Sequence, residues 1–144
     1  MTGVQWTGVH WLYPTNPGRR CWVGRDAQDV LAPGNVRSRE RVGEDGTATW
    51  LLSSGYRTMR PGDLVWLYAA GQQVLYAVAR VLDVRHDEAE GSWVAQVAWC
   101  HEATEVLDAD PLPRALFGQV PQSVQRANAR TVEVLQDWLS SAGL

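Results

Sequence analysis

The apolar positions of this chain fall into two kinds of pattern. Over residues 63–100 they come in short blocks separated by turn residues. Residues 63–69 (DLVWLYA) are apolar and aromatic, residues 73–84 are rich in Val, Leu and Ala, and residues 92–100 (SWVAQVAWC) follow a polar loop at 86–91. Blocks of this length and composition, bounded by Gly and polar residues, predict strands. Ala70-Gly71 predicts a hairpin between the first two. Three consecutive strands predict a meander, which needs a partner layer or closure into a barrel to hide its edges. Toward the C-terminus the period changes. Val124, Ala127, Thr131, Leu135 and Trp138 recur at spacings of three and four, predicting a helix over about 122–140, opened by Pro121 and ended by Gly143.

The first half is more broken. Residues 8–13 (GVHWLY) predict a short strand. It runs into Pro14-Thr15-Asn16-Pro17-Gly18, a rigid loop in which two backbone donors are missing. Thr15 and Asn16 there have side chains that either bond a ligand or close an Asx-type turn on their own backbone. Residues 21–23 predict a brief strand. Asp26 is placed to cap a helix at 27–31, stopped by Pro33-Gly34. Residues 35–46 (NVRSRERVGEDG) show no period; they form a solvated loop or, through Arg37, Arg39 and Arg41, an arm on phosphates. Apolar character resumes at 49–52 with Trp50. Ser53-Ser54-Gly55 then lead into a predicted short helix at 56–60, as plain caps or as groups facing a ligand. Met59-Arg60-Pro61-Gly62-Asp63 is a turn into the next strand. Residues 103–113 are acidic and turn-rich, 114–117 predict one helical turn, and Arg126 and Arg130 share a face of the late helix. The class is α+β.

Composition adjusts this picture in three places. At 144 residues with 45% apolar content the chain is expected to form one domain with a real core. It has no apolar run of membrane-spanning length, its start does not resemble a leader, and its two cysteines, Cys21 and Cys100, are expected to be reduced thiols of a cytoplasmic protein. Net charge is −3, but it is split: residues 1–60 carry +3 and residues 61–144 carry −6. All thirteen basic residues are arginine, which suits bidentate phosphate contact and also follows from a compositional bias of the genome. Eight tryptophans stand against a single Phe. Most belong to a core of this size, leaving one or two for a pocket that stacks on a flat ligand.

Catalytic chemistry is not legible. Cys100-His101 are adjacent, and His10, Cys21 and His86 show no metal-ligand spacing. There is no phosphate-cradling glycine loop and no nucleophile with a recognisable base. The expectation is a binding module without cofactor or metal; an enzyme acting on nucleobases ranks last.

Two ordered stretches carry a resemblance. His10-Trp11-Leu12-Tyr13-Pro14-Thr15-Asn16-Pro17 resembles the opening strand and loop of the EVE family, a branch of the PUA-like superfamily related to YTH and ASCH domains. Trp50, a short helix and then Met59-Arg60-Pro61-Gly62-Asp63-Leu64-Val65-Trp66-Leu67-Tyr68 are similar to that family's tryptophan, helix, Gly-Asp turn and aromatic strand. The following Val/Ala strand and a late helix near Gln119 or Gln122 also fit. The resemblance implies a small, partly open mixed β-barrel flanked by short helices and a C-terminal helix. It implies a pocket for one extruded, often modified nucleobase in DNA or RNA, and a nuclease or other effector as partner. Trp50, Thr15 and Asn16 match the family's pocket positions, although the family often has serine and glutamate at the last two. Ser53, Ser54, Tyr13 and Tyr68 join the candidate set, Trp22 joins it by position alone, and Arg37, Arg39, Arg41 and Arg57 are the phosphate candidates. Extruding a base costs a few kcal/mol, and stacking it on an aromatic ring returns about 1–3 kcal/mol. A small-molecule protein holding a nucleotide or another flat metabolite in the same slot is the alternative.

Overall fold

The computed structural model describes residues 6–16 and 47–144. Trp22, Arg37, Arg39 and Arg41, with the elements expected at 21–23, 27–31 and 35–46, lie outside the described residues. In chain order the elements are β1 (His10–Thr15), β2 (Thr47–Leu52), β3 (Leu64–Ala69), β4 (Val74–Asp87), β5 (Ser92–Trp99), α1 (His101–Ala109), β6 (Leu112–Pro113), α2 (Arg114–Phe117), β7 (Gln125–Arg126) and α3 (Ala129–Ser141). The strands form one mixed sheet in the order β2-β5-β4-β3-β1-β7, with β6 also on β4. The α+β class and the β3-β4-β5 meander are therefore present.

Alternation along the strands sorts side chains to two faces, and both faces are buried. Trp11, Tyr13, Trp50, Val65, Leu67, Ala79, Ala95 and Val97 form the inner cluster. Leu12, Leu64, Trp66, Tyr68, Leu75 and Val78 point the other way, under Ala103 and Leu107 of α1, Phe117 of α2, and Leu135 and Leu139 of α3. Two bulges adjust this order. Leu67 pairs with Ala77 but Tyr68 pairs with Leu75, so Tyr76 is the extra residue and lies with Ala77 on the inner face. Val81 pairs with Val97 and Asp83 with Gln96, which leaves Leu82 extra and 43% exposed.

Four expectations need correction. The sheet is open: its path ends at β2 and β7, which do not pair with each other. The ends are drawn together by side chains instead, through Tyr13 Oη donating to the Leu51 carbonyl and Ser54 Oγ to the Val124 carbonyl at 2.8 Å. Second, Pro14 and Thr15 belong to β1, which lies parallel to β3 with Pro14 opposite Tyr68. A proline is tolerated because β7 covers β1 only at Trp11 and Leu12. Third, the late helix starts at Ala129, capped by Asn128 Oδ1, which accepts from Thr131 N at 2.8 Å. Gln125 and Arg126 are strand, so Arg126 and Arg130 do not share a helix face. Fourth, residues 101–109 are helical, not a turn-rich stretch. Ala103, Thr104 and Leu107 are buried at helical spacing, and Thr104 Oγ1 satisfies both the Val78 N–H and the Val78 carbonyl. The segment after Trp50 makes a single turn, closed by Thr58 N and Met59 N on the Gly55 carbonyl.

Candidate binding site

Trp50 lies on β2 facing inward and is 1% exposed. Its ring is flanked by Tyr13 at 5.4 Å and Trp99 at 5.2 Å, both tilted. Thr15 is also buried; its hydroxyl donates to the Tyr68 carbonyl and pairs with Tyr76 Oη at 2.8 Å. Tyr68 is on the opposite face of the sheet, edge-on to Phe117, with its hydroxyl pKa raised by burial and partly offset by Arg114. The predicted set therefore splits. Tyr13, Thr15 and Trp50 meet on the inner face, Tyr68 belongs to the outer core, Ser54 ties the sheet ends, and Ser53 and Asn16 are exposed. Neither of the two clefts described next is lined by Trp50, Thr15 or Asn16.

The first cleft, about 380 Å³, opens where the turn before β3 meets the β4–β5 hairpin. Tyr56, Arg57, Met59, Arg60, Pro61, Asp83, Val84 and Trp93 line it. Local sequence explains the wall. Gly55 takes a φ of +80° that other residues rarely adopt, and a Cβ there would lie 2.9 Å from the Trp11 ring. The chain can thus turn tightly against Trp11 and present Tyr56 outward. Asp63 fixes the far end, accepting from Arg60 N, Trp11 Nε1 and Val9 N. Across the cleft, Trp93 pairs with His86 in the ladder and remains 36% exposed. Its indole stacks on the Tyr56 ring at 5.0 Å and 4°, and His86 stands edge-on at 5.7 Å.

Charge follows the same wall. Arg57 and Arg60 are exposed and have no carboxylate partner among the described residues. Arg60 Nη1 donates to the Arg57 and Met59 carbonyls at 2.8 and 3.0 Å, which holds that guanidinium in place. The cleft's acid, Asp83, is paired with Arg85 at 3.8 Å, with both side chains about half exposed. Such a pair is weak. The arrangement can hold a flat ring against an indole while arginines meet an anionic group on it. Arg57 was among the phosphate candidates. Trp93, Tyr56 and Arg60 were not, because Trp93 sits in an unbroken Trp-Val-Ala run that does not show which face it takes.

The second cleft, about 320 Å³, lies between Trp6, Arg80, Ala98, Trp99, Cys100, Leu144 and the first turn of α1. Burial pushes the Cys100 thiol up to about 11, against a smaller opposing effect of Arg80, so it stays protonated. Among the described residues no group of three His, Cys, Asp or Glu could hold a metal ion, and no helix is long and apolar enough to cross a membrane.

No family model matches the chain, and no curated protein matches it. Among solved structures it is similar to the X-ray crystal structure of protein PSPTO5229 from Pseudomonas syringae, at 11% identity and a TM-score of 0.47, over 90% of this chain and 98% of that one.

Proposed function

We propose that this chain is a nucleic-acid-binding module that holds one unstacked base on Trp93, with Arg57 and Arg60 taking the adjoining phosphate. The observation that carries the reading is the pairing of a parallel stack between half-buried Tyr56 and exposed Trp93 with two arginines that have no carboxylate partner among the described residues. In a chain of net charge −3, cations without a carboxylate partner among the described residues, beside an indole that is 36% exposed, favour an aromatic ligand bearing negative charge. The base is one extruded from its stack and often modified, as the resemblance to the EVE branch implies. We read the curled sheet, with its parallel β1–β3 pair and side-chain bridges between its ends, as PUA-like. The site, however, is drawn at the hairpin cleft and not at Trp50, because Trp50 is 1% exposed whereas Trp93 is 36% exposed and lines the cleft. Binding, not catalysis, is the reading.

The test is fluorescence anisotropy with labelled single-stranded DNA and RNA. Trp93→Ala is expected to weaken binding by about 5- to 150-fold, the equivalent of the 1–3 kcal/mol of one stacked base. Arg57→Ala is expected to weaken it across all sequences and to flatten the salt dependence. Unchanged affinity in a folded Trp93→Ala protein would remove the reading. The small-molecule alternative draws on the second cleft, whose walls are mostly apolar; it predicts binding of a free ligand that does not respond to salt or to Trp93→Ala.

A further inference from the structure

The inference rests on the reading of the Trp93 cleft as a base site and concerns what lies beyond it. We propose that the ligand is a single strand, longer than one nucleotide, whose backbone leaves the cleft over Arg60 and Arg57 and continues to Arg126 on β7. Three observations link the segments that carry these cations. Arg60 is bonded to the Arg57 carbonyl at 2.8 Å, so the two residues are neighbours on the turn. Two residues before Arg57, Gly55 lies against the Trp11 indole, and the Arg126 guanidinium lies over a ring of that same indole, 5.4 Å from its centroid. Ser54 Oγ bonds the Val124 carbonyl at 2.8 Å, which fixes the start of β7 beside the turn.

The path is electropositive for a reason that composition does not supply. The chain has sixteen acids and thirteen arginines. Arg57, Arg60 and Arg126 are nevertheless exposed and without a carboxylate partner among the described residues, whereas Arg85, on the other side of the cleft, is paired with Asp83. Arg126 also packs its guanidinium over the Trp11 ring, so less side-chain freedom is lost when an anion meets it. One cation pair suffices for one phosphate. A third arginine further along, without a carboxylate partner among the described residues, is available to a second phosphate. The base must be free to leave its neighbours and stack on Trp93, so the strand is unpaired at that point.

The experiment compares the four common nucleoside monophosphates with mixed-sequence single-stranded hexamers of DNA and RNA, on the full chain, over a range of salt. Hexamers are expected to bind at least about 10-fold tighter than any monophosphate at low salt, because each further phosphate neutralised adds a salt-dependent term. Arg126→Gln is expected to weaken the hexamer about 5-fold and reduce the salt slope by about 0.7, the share of one phosphate on a single strand. It should leave monophosphate binding within twofold. Arg126→Lys should keep the slope, and this checks that the charge is responsible and not the packing on Trp11. Equal effects of Arg126→Gln on monophosphate and hexamer, no effect on either, or a duplex hexamer that binds as tightly as the single strand would each overturn the path. In those cases the base reading stands if Trp93→Ala still abolishes monophosphate binding. If no hexamer binds, or if Trp93→Ala leaves binding intact, the base reading fails and the path fails with it.

Discussion

At the scale of single residues, context decided what each candidate became. Trp50 and Trp93 are the same side chain on neighbouring strands, yet one is sealed between Tyr13 and Trp99 and the other, stacked on Tyr56, stays 36% exposed. A sequence shows that an indole is present, but not which rings close over it. His10 makes the same point for charge. It is buried, and its Nδ1 accepts from Trp66 Nε1 at 3.0 Å. Burial lowers its pKa below the ordinary 6.5, against smaller opposing effects of the Trp6 backbone and Asp63. The unfolded chain therefore takes up a proton at a pH where the folded chain resists it. The stabilising effect of neutral His10 is full above pH 6.5 and is lost as pH falls from there through the lowered folded value. Melting temperature is expected to drop between pH 7.5 and 5, and His10→Gln should flatten that drop in a pH series of thermal melts. An equally steep drop in the variant would place the sensitivity elsewhere.

At the scale of elements, strands were easier to read than helices. The blocks at 63–69, 73–84 and 92–100 correspond to β3, β4 and β5 within a residue or a few, because turn residues punctuate them. The α1 stripe was hidden by its composition. Its buried face is Ala103, Thr104 and Leu107, and the surrounding Glu102, Glu105 and Asp108 read as loop. For α3 the apolar period runs on past the true start, since Val124 and Ala127 are also at least partly buried but lie outside the helix, on either side of β7. The cap sets the boundary. Asn128→Ala is expected to cost about 1 kcal/mol, through the lost bond to Thr131 N. Urea denaturation should show a lower midpoint with an unchanged slope; a cost near zero would mean that Gln119, which bonds Asn128 N and Thr131 Oγ1, holds the helix start by itself.

At the scale of the whole molecule, the open sheet keeps its curl through a few bonds between its ends. Tyr13 Oη reaches from β1 to the Leu51 carbonyl of β2, strands that lie far apart on the hydrogen-bonded path. Tyr13→Phe is expected to cost about 1–2 kcal/mol and to expose the β2 edge, seen as faster hydrogen exchange in β2 than in β3. Equal exchange would show that packing of the inner cluster alone holds the curl. The same closure brings Ser54 to Val124, and so the turn that carries Arg57 beside the start of β7. By itself the amino-acid order determined the mixed class, the central meander, the turn at Met59–Asp63 and the excess of indoles, because these depend on local period, backbone freedom and side-chain type. Tertiary structure alone decided that β1 runs parallel to β3, that Trp50 is interior, and that Tyr56, Arg57, Arg60 and Trp93 share one cleft. Those facts come from pairings between residues tens of positions apart, and no local preference along the chain encodes which distant side chains will meet.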